Sequence, residues 1–223
     1  MNVSCKEQSA QQVCKKENFN DKQVDVIQYA MDHGIEDEHL FLLLNEDMLP
    51  EQMKRVLYGL MYGLDPDDVK LYAQTDMSVE AMDQIRFALM KEDERHLIGL
   101  LLQKGLDVEQ MIQIRKGNRL PYQYVELYAE PFYDVEQMRE IRSGFEHGLS
   151  FQQVCLYCDA RFSSEKMYYI RRGFEYGVDF HTAMEYAQPD LPAESIYHAV
   201  QKEKKKILNE KKRSHTMLHG MVM

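Results

Sequence analysis

Large apolar residues recur along this chain at an interval of about 29. Val24, Met53, Met82, Met111, Met138, Met167 and Ile196 are spaced 29, 29, 29, 27, 29 and 29 apart. Each is followed three residues later by Ile27, Val56, Ile85, Ile114, Ile141, Ile170 or Ala199. An apolar spacing of three is helical. A fixed period of this length marks a stack of small units rather than one globule around a single centre. The pattern predicts an all-α chain, an α-solenoid of about six two-helix repeats with capping helices at its ends. The array occupies 19–200, an N-terminal half-repeat cap 1–18, and a basic C-terminal helix with a frayed tail 201–223.

The recurring residue is taken as position 0 of each repeat. Position −5 is large and apolar (Phe19, Met48, Met77, Leu106, Tyr133, Phe162, Leu191), and position −4 is mostly a capping type (Asn20, Ser78, Asp107, Asp134, Ser163). Position −1 is often glutamine (Gln23, Gln52, Gln110, Gln137). This predicts a helix start with a capping box. The cap oxygen accepts an orphan N–H, and the glutamine reaches back to the cap's own N–H. Position +6 is small throughout: Ala30, Gly59, Ala88, Gly117, Gly144, Gly173. Glycine inside a helix costs roughly 1 kcal/mol against alanine, so four glycines at one phase predict the close approach of another backbone. Position +10 is Gly34, Gly63, Gly148 and Gly177, each followed by an apolar residue, which predicts a Schellman-type stop.

A shorter second helix follows, with starts at Asp65-Pro66 and at Ser150. Its buried face reads Val69/Tyr72/Ala73, Val125/Tyr128/Ala129, Val154/Tyr157/Cys158 and Ala183/Tyr186/Ala187. Helices of about nine residues are not stable alone, so each repeat must lean on its neighbours. Two repeats depart from the pattern. In the third, Glu92 stands at the stop position, and a charged turn over 91–95 or a continued helix are both open. The fourth is two residues short, with 117–121 as its turn. At the N-terminus, residues 4–14 read as half a repeat, with Ser4 as cap and Val13 as core; at the other end 214–223 read as frayed.

Composition narrows the partners. The net charge is −10, yet residues 201–213 carry seven Lys/Arg against two Glu, a local +5 that leaves −15 on the remainder. So acidic a body repels phosphate backbones, which argues against direct nucleic-acid binding and suits a protein partner. No window approaches 18 apolar residues and the N-terminus has no apolar signal region, so neither a membrane span nor secretion is expected. Four cysteines in 223 residues do not make a disulfide framework, and a cytoplasmic location is expected.

The best-formed stretches are EQMREIRSGFEHGLSFQQVCLYCDARF, residues 136–162, and EKMYYIRRGFEYGVDFHTAMEYAQPDL after it. They resemble repeats of uncharacterised helical-repeat proteins carried by mobile elements and prophages of gut-dwelling Gram-positive bacteria. The shared pattern is Gln-Met-x-x-Ile-Arg-x-Gly-x-Glu-x-Gly, then Val-x-x-Tyr-Ala. The resemblance covers about 19–200, although repeats one to three lack the full Ile-Arg-x-Gly core. It implies the fold and a mobile genetic setting, and no activity.

Four features carry candidate chemistry. Arg86, Arg115, Arg142 and Arg171 share position +4. They either line up to grip an acidic or phosphate-bearing partner or pair locally, as Arg142–Glu146 and Arg171–Glu175 at i,i+4 favour. Cys155 and Cys158 form a lone CxxC, either half a zinc site completed by Cys5, Cys14 or histidines, or packing, with Cys158 in the slot of Ala73, Ala129 and Ala187. Tyr72, Tyr128, Tyr157 and Tyr186 are either partner anchors or core residues whose hydroxyls reach loop carbonyls, with core favoured. The basic tail either touches acidic lipid, nucleic acid or the acidic body itself, or forms a solvated terminal helix, with the solvated helix favoured. No phosphate loop, nucleophile elbow or His-Glu-x-x-His is present. The chain is therefore expected to be a non-enzymatic protein-binding module, a scaffold or adaptor without cofactor or metal. The alternative is a mobile-element inhibitor whose acidic surface occupies a host defence nuclease.

Overall fold

The computed structural model describes residues 18–220. The expected N-terminal half-repeat, including Ser4, Val13, Cys5 and Cys14, lies outside the described residues. Among the described residues every regular element is helical. In the first three repeats, α1 (Asp21–Asp32), α3 (Pro50–Met61) and α5 (Val79–Leu89) are the long helices. They alternate with α2 (Asp37–Leu40), α4 (Pro66–Tyr72) and the short α6 (Ile98–Leu101). Next come α7 (Val108–Lys116), α8 (Tyr122–Glu126), α9 (Val135–Glu146), α10 (Phe151–Cys155), α11 (Ser164–Tyr176), α12 (Phe180–Tyr186) and α13 (Ala193–Gly220). The chain divides into two compact units, Met1–Met111 and Ile112–Met223, with the boundary inside α7. In the N-terminal unit α3 packs against both α1 and α5; in the C-terminal unit α11 packs against both α9 and α13.

The helix starts follow the sequence. Asn20 and Asp134 accept from the backbone N–H of Gln23 and Gln137 at 3.1 and 2.7 Å, and those glutamines accept the cap N–H at 2.8 Å each. Asp107 and Gln110 close the same box. Gln52 makes the return bond to Leu49, where Pro50 opens the helix. The stops follow as well. Gly63 and Gly148 adopt φ of +78° and +80°, and the N–H of Leu64 and Leu149 bonds back to Gly59 and Gly144, as a Schellman motif requires.

The glutamines do more than cap. The Gln23 side-chain amide donates to the carbonyls of Glu46 and Met48, 23 and 25 residues on. Gln52 does the same to Thr75 and Met77, and Gln137 to Ala160 and Phe162. Lys166 replaces glutamine in repeat six and its ammonium reaches the equivalent carbonyl, Pro189, at 2.6 Å. One side chain thus closes its own helix start and fastens the turn that leads into the next repeat.

Three local expectations are corrected. First, the small residue at +6 does not admit a backbone. A Cβ on Gly59, Gly117, Gly144 or Gly173 would lie 1.9, 2.0, 2.0 or 2.5 Å from the hydroxyl of Tyr72, Tyr128, Tyr157 or Tyr186. The glycine makes room for a tyrosine of the second helix. Where that tyrosine is replaced by Leu43 or Leu101, both buried, position +6 is alanine, Ala30 or Ala88. Second, the hydroxyls of Tyr72, Tyr128 and Tyr157 donate to helix-interior carbonyls of Arg55, Gln113 and Glu140, not to loop carbonyls. Third, α13 continues to Gly220, where a frayed tail was expected. Its run is rich in good helix formers and carries a Lys206–Glu203 pair at 2.6 Å.

The third repeat resolves its own ambiguity. The long helix stops at Leu89 and the charged segment forms a 3-10 helix over Glu92–Leu97. Arg95 donates to the Leu89 carbonyl at 2.9 Å and pairs with Asp68 at 2.6 Å. A guanidinium thus satisfies the helix end that a glycine closes elsewhere.

Candidate functional site

The long helices of repeats one to six bury positions +3 and +6 throughout, and position 0 in all but the first, so position +5 faces away from the core. In the N-terminal unit that position is aromatic three times running: Tyr29, Tyr58 and Phe87, 47%, 39% and 40% exposed. Met61 and Met90, at +8 of α3 and α5, are exposed as well. Large apolar groups are rare on a helix face that owes nothing to the core, and a contiguous set of them marks an interaction surface. In the C-terminal unit the same position holds Lys116, Ser143 and Arg172, so the row belongs to the N-terminal unit alone.

The row has a built setting. Between α1 and α3 lies a cleft of about 570 Å³ flanked by Tyr29 and Tyr58. Val26 and Leu57, both buried, floor it, and Lys22, Asp25, Glu51 and Lys54 rim it. Tyr29 stacks on His33 at 3.8 Å, and the Arg86 guanidinium covers one face of Phe87 at 4.5 Å. These neighbours hold the rings and lower the entropy a partner would otherwise have to freeze out.

The position +4 arginines Arg86, Arg142 and Arg171 form ion pairs within the chain. Arg86 and Arg171 are 7% exposed. Arg86 pairs with Asp83 at 2.7 Å, and Asp83 also receives Arg55 from the preceding repeat at 3.1 Å. Arg171 pairs with Glu140 of the preceding repeat at 2.8 Å and with Glu175 on its own helix. Arg142 pairs with Glu146 and donates to Gln113 of the preceding repeat at 3.3 Å. Arg115 is half-buried. The i,i+4 pairs read from the sequence are present, and the same arginines also tie neighbouring long helices together.

The candidate tyrosines lie in the core. Tyr72, Tyr128, Tyr157 and Tyr186 are buried, and desolvation holds each phenol above its ordinary range. Cys155 is exposed, whereas the Cys158 thiol lies 3.2 Å from the Tyr133 hydroxyl, and burial pushes it up to about 11. Along α13, Lys204 lies over the Tyr176 ring at 3.9 Å. Among the described residues Glu36, Glu38 and His39 come close enough to share a cation, with both glutamates exposed. No helix among the described residues is long and apolar enough to cross a membrane.

The buried phase of the sequence does not reveal the aromatic row. The signal was there: Tyr, Tyr and Phe at one phase 29 residues apart, opposite the core stripe. Comparison with protein-family models, with curated proteins and with solved structures finds no match to this chain.

Proposed function

We propose that the chain is an α-solenoid that binds a protein partner without performing chemistry on it, and that the Tyr29–Tyr58–Phe87 row is its docking face. The observation that carries this reading is the recurrence of an exposed ring at one phase on three neighbouring helices, over a cleft with an apolar floor and a charged rim. Aromatic anchors in desolvated pockets contribute most of the energy of protein interfaces. Packed helices lie about 8–10 Å apart, and an α-helix repeats a facing side chain every seven residues, about 10.5 Å. An amphipathic helix laid across α1, α3 and α5 therefore meets the rings in register, and we take such a helix as the partner segment. The solenoid organisation supplies the spacing, and the mixed charges of the rim supply orientation.

The test is capture from the native host with three baits: the wild type, a Tyr29→Ser/Tyr58→Ser/Phe87→Ser variant, and a Phe132→Ser control in the C-terminal unit. A partner retained by the wild type and the control but lost from the triple variant supports the reading; equal retention by all three overturns it. A second reading rests on the −15 carried outside the basic segment. It makes the protein an inhibitor that fills the nucleic-acid channel of a basic nuclease. That reading requires capture to weaken steeply with salt, and salt-indifferent capture rejects it.

A further inference from the structure

The joint after repeat three lacks the glutamine that fastens the joints after repeats one, two and five. Position −1 there is Ala81, half-buried, where Gln23, Gln52 and Gln137 are buried. A methyl group can neither accept the N–H of the cap residue, Ser78, nor donate to the carbonyls 23 and 25 residues on, which belong to Lys104 and Leu106. At this joint the structure holds an open cleft of about 820 Å³, and Ser78, Ala81, Lys104 and Leu106 all line it. Leu106 is half-buried, as is its counterpart Met77, while Met48 and Phe162 are buried.

The chain itself shows what fits such a space. In three other repeats a primary carboxamide lies there, its oxygen accepting from the cap N–H at 2.8 Å and its nitrogen donating to two carbonyls at 2.7–3.1 Å. We infer that the cleft beside Ala81 is a binding site for a primary carboxamide, presented by a glutamine side chain of a partner protein. The incoming oxygen takes the Ser78 N–H, and its amide group donates to the Lys104 and Leu106 carbonyls. The donor–acceptor–acceptor pattern discriminates: a carboxylate cannot donate to the two carbonyls, and an aliphatic side chain can neither donate nor accept. The site uses none of the aromatic-row residues, so its failure and the failure of the docking face are separately visible.

The experiment titrates isotope-labelled full-length protein with N-acetyl-glutamine methylamide, followed by amide NMR shifts. Saturable shifts confined to residues around Ser78 and 102–108 are expected. N-acetyl-norleucine methylamide, of similar length without the carboxamide, should bind about tenfold or more weakly. Ala81→Gln should supply the carboxamide from within and abolish the shifts while leaving the rest of the spectrum in place. Ala81→Leu, which fills the same space with no polar group, should abolish them too. Absence of saturable shifts in the wild type overturns the proposal, as does undiminished binding to Ala81→Gln or equal binding of the norleucine analogue.

Discussion

Repeats three and five build equivalent long helices from different parts. Repeat five opens with the Asp134–Gln137 box, stops at Gly148, and seats Tyr157 against Gly144. Repeat three opens with Ser78 and no glutamine, stops with Arg95 on the Leu89 carbonyl, and sets Leu101 opposite Ala88. Met82 and Ile85 are as buried as Met138 and Ile141. The apolar phase is held while the polar and small positions change together. A glycine comes with its tyrosine, an alanine with its leucine, and a missing stop glycine with an arginine that replaces it. The substitutions are solutions to one packing problem, and each coupled glycine and tyrosine lie 11 or 13 residues apart along the chain.

The same contrast governs the ion pairs, and breaking them gives the largest expected effect. In the N-terminal unit one acid, Asp83, sits between Arg55 and Arg86. In the C-terminal unit one arginine, Arg171, sits between Glu140 and Glu175, with side-chain exposures of 8%, 8% and 11%. Removing Arg171 leaves the buried Glu140 carboxylate without compensation, although Glu175 keeps Arg172; an uncompensated buried charge costs about 3–5 kcal/mol. Arg171→Met should lower the urea unfolding free energy by that amount, and adding Glu140→Leu should recover most of it. Arg86→Met should cost less, about 1–2 kcal/mol, because Asp83 keeps Arg55. Equal losses at the two sites would show that the arrangement of partners does not matter.

The second effect tests the glycine–tyrosine coupling. Gly144→Ala puts a methyl 2.0 Å from the Tyr157 hydroxyl. Overpacking of this kind costs about 1–3 kcal/mol and outweighs the alanine's better helix propensity. Tyr157→Leu alone leaves a void and costs a similar amount. The double variant recreates the Ala88–Leu101 arrangement of repeat three and should return to within about 1 kcal/mol of the wild type, which makes the two positions coupled rather than additive. Additive losses in a denaturation cycle would show that the two repeat types are not interchangeable.

The pattern along the chain made the helix starts, the glycine stops and the buried face of the second helix legible, because each is written within one turn of one element. What it left open is written across elements. The smallness of Gly59 or Gly144 has its cause 13 residues on, in a hydroxyl on another helix. The second task of Gln23 lies at Glu46 and Met48, which no local rule of helix capping anticipates. Arg95 closing a helix that ends at Leu89 requires the 3-10 segment between them. The aromatic row was as periodic as the core, but exposed residues carry no packing signature, so period alone did not separate an interaction face from scattered surface rings.

The smallest effect concerns position +20, where repeat five has Cys158 and repeat three has Leu102, so that only the former can titrate. Burial and the Tyr133 hydroxyl set the state of the Cys158 thiol, with burial dominant and the value pushed up to about 11. An unfolded cysteine titrates near 8.5. The folded state therefore holds this proton more tightly than the unfolded one. Its contribution to stability is complete below about pH 8.5 and is lost as pH rises towards 11. At pH 7 the thiol should be silent: Cys158→Ala, which matches Ala129 and Ala187, should shift stability by about 1 kcal/mol or less. Between pH 9 and 11 the wild type should lose stability more steeply than Cys158→Ala. Peptide mapping after alkylation at pH 8 should find Cys155 modified and Cys158 protected. Prompt alkylation of Cys158, or identical alkaline slopes for the two proteins, would mean that the thiol is not enclosed and that position +20 of repeat five is not equivalent to its alanine counterparts.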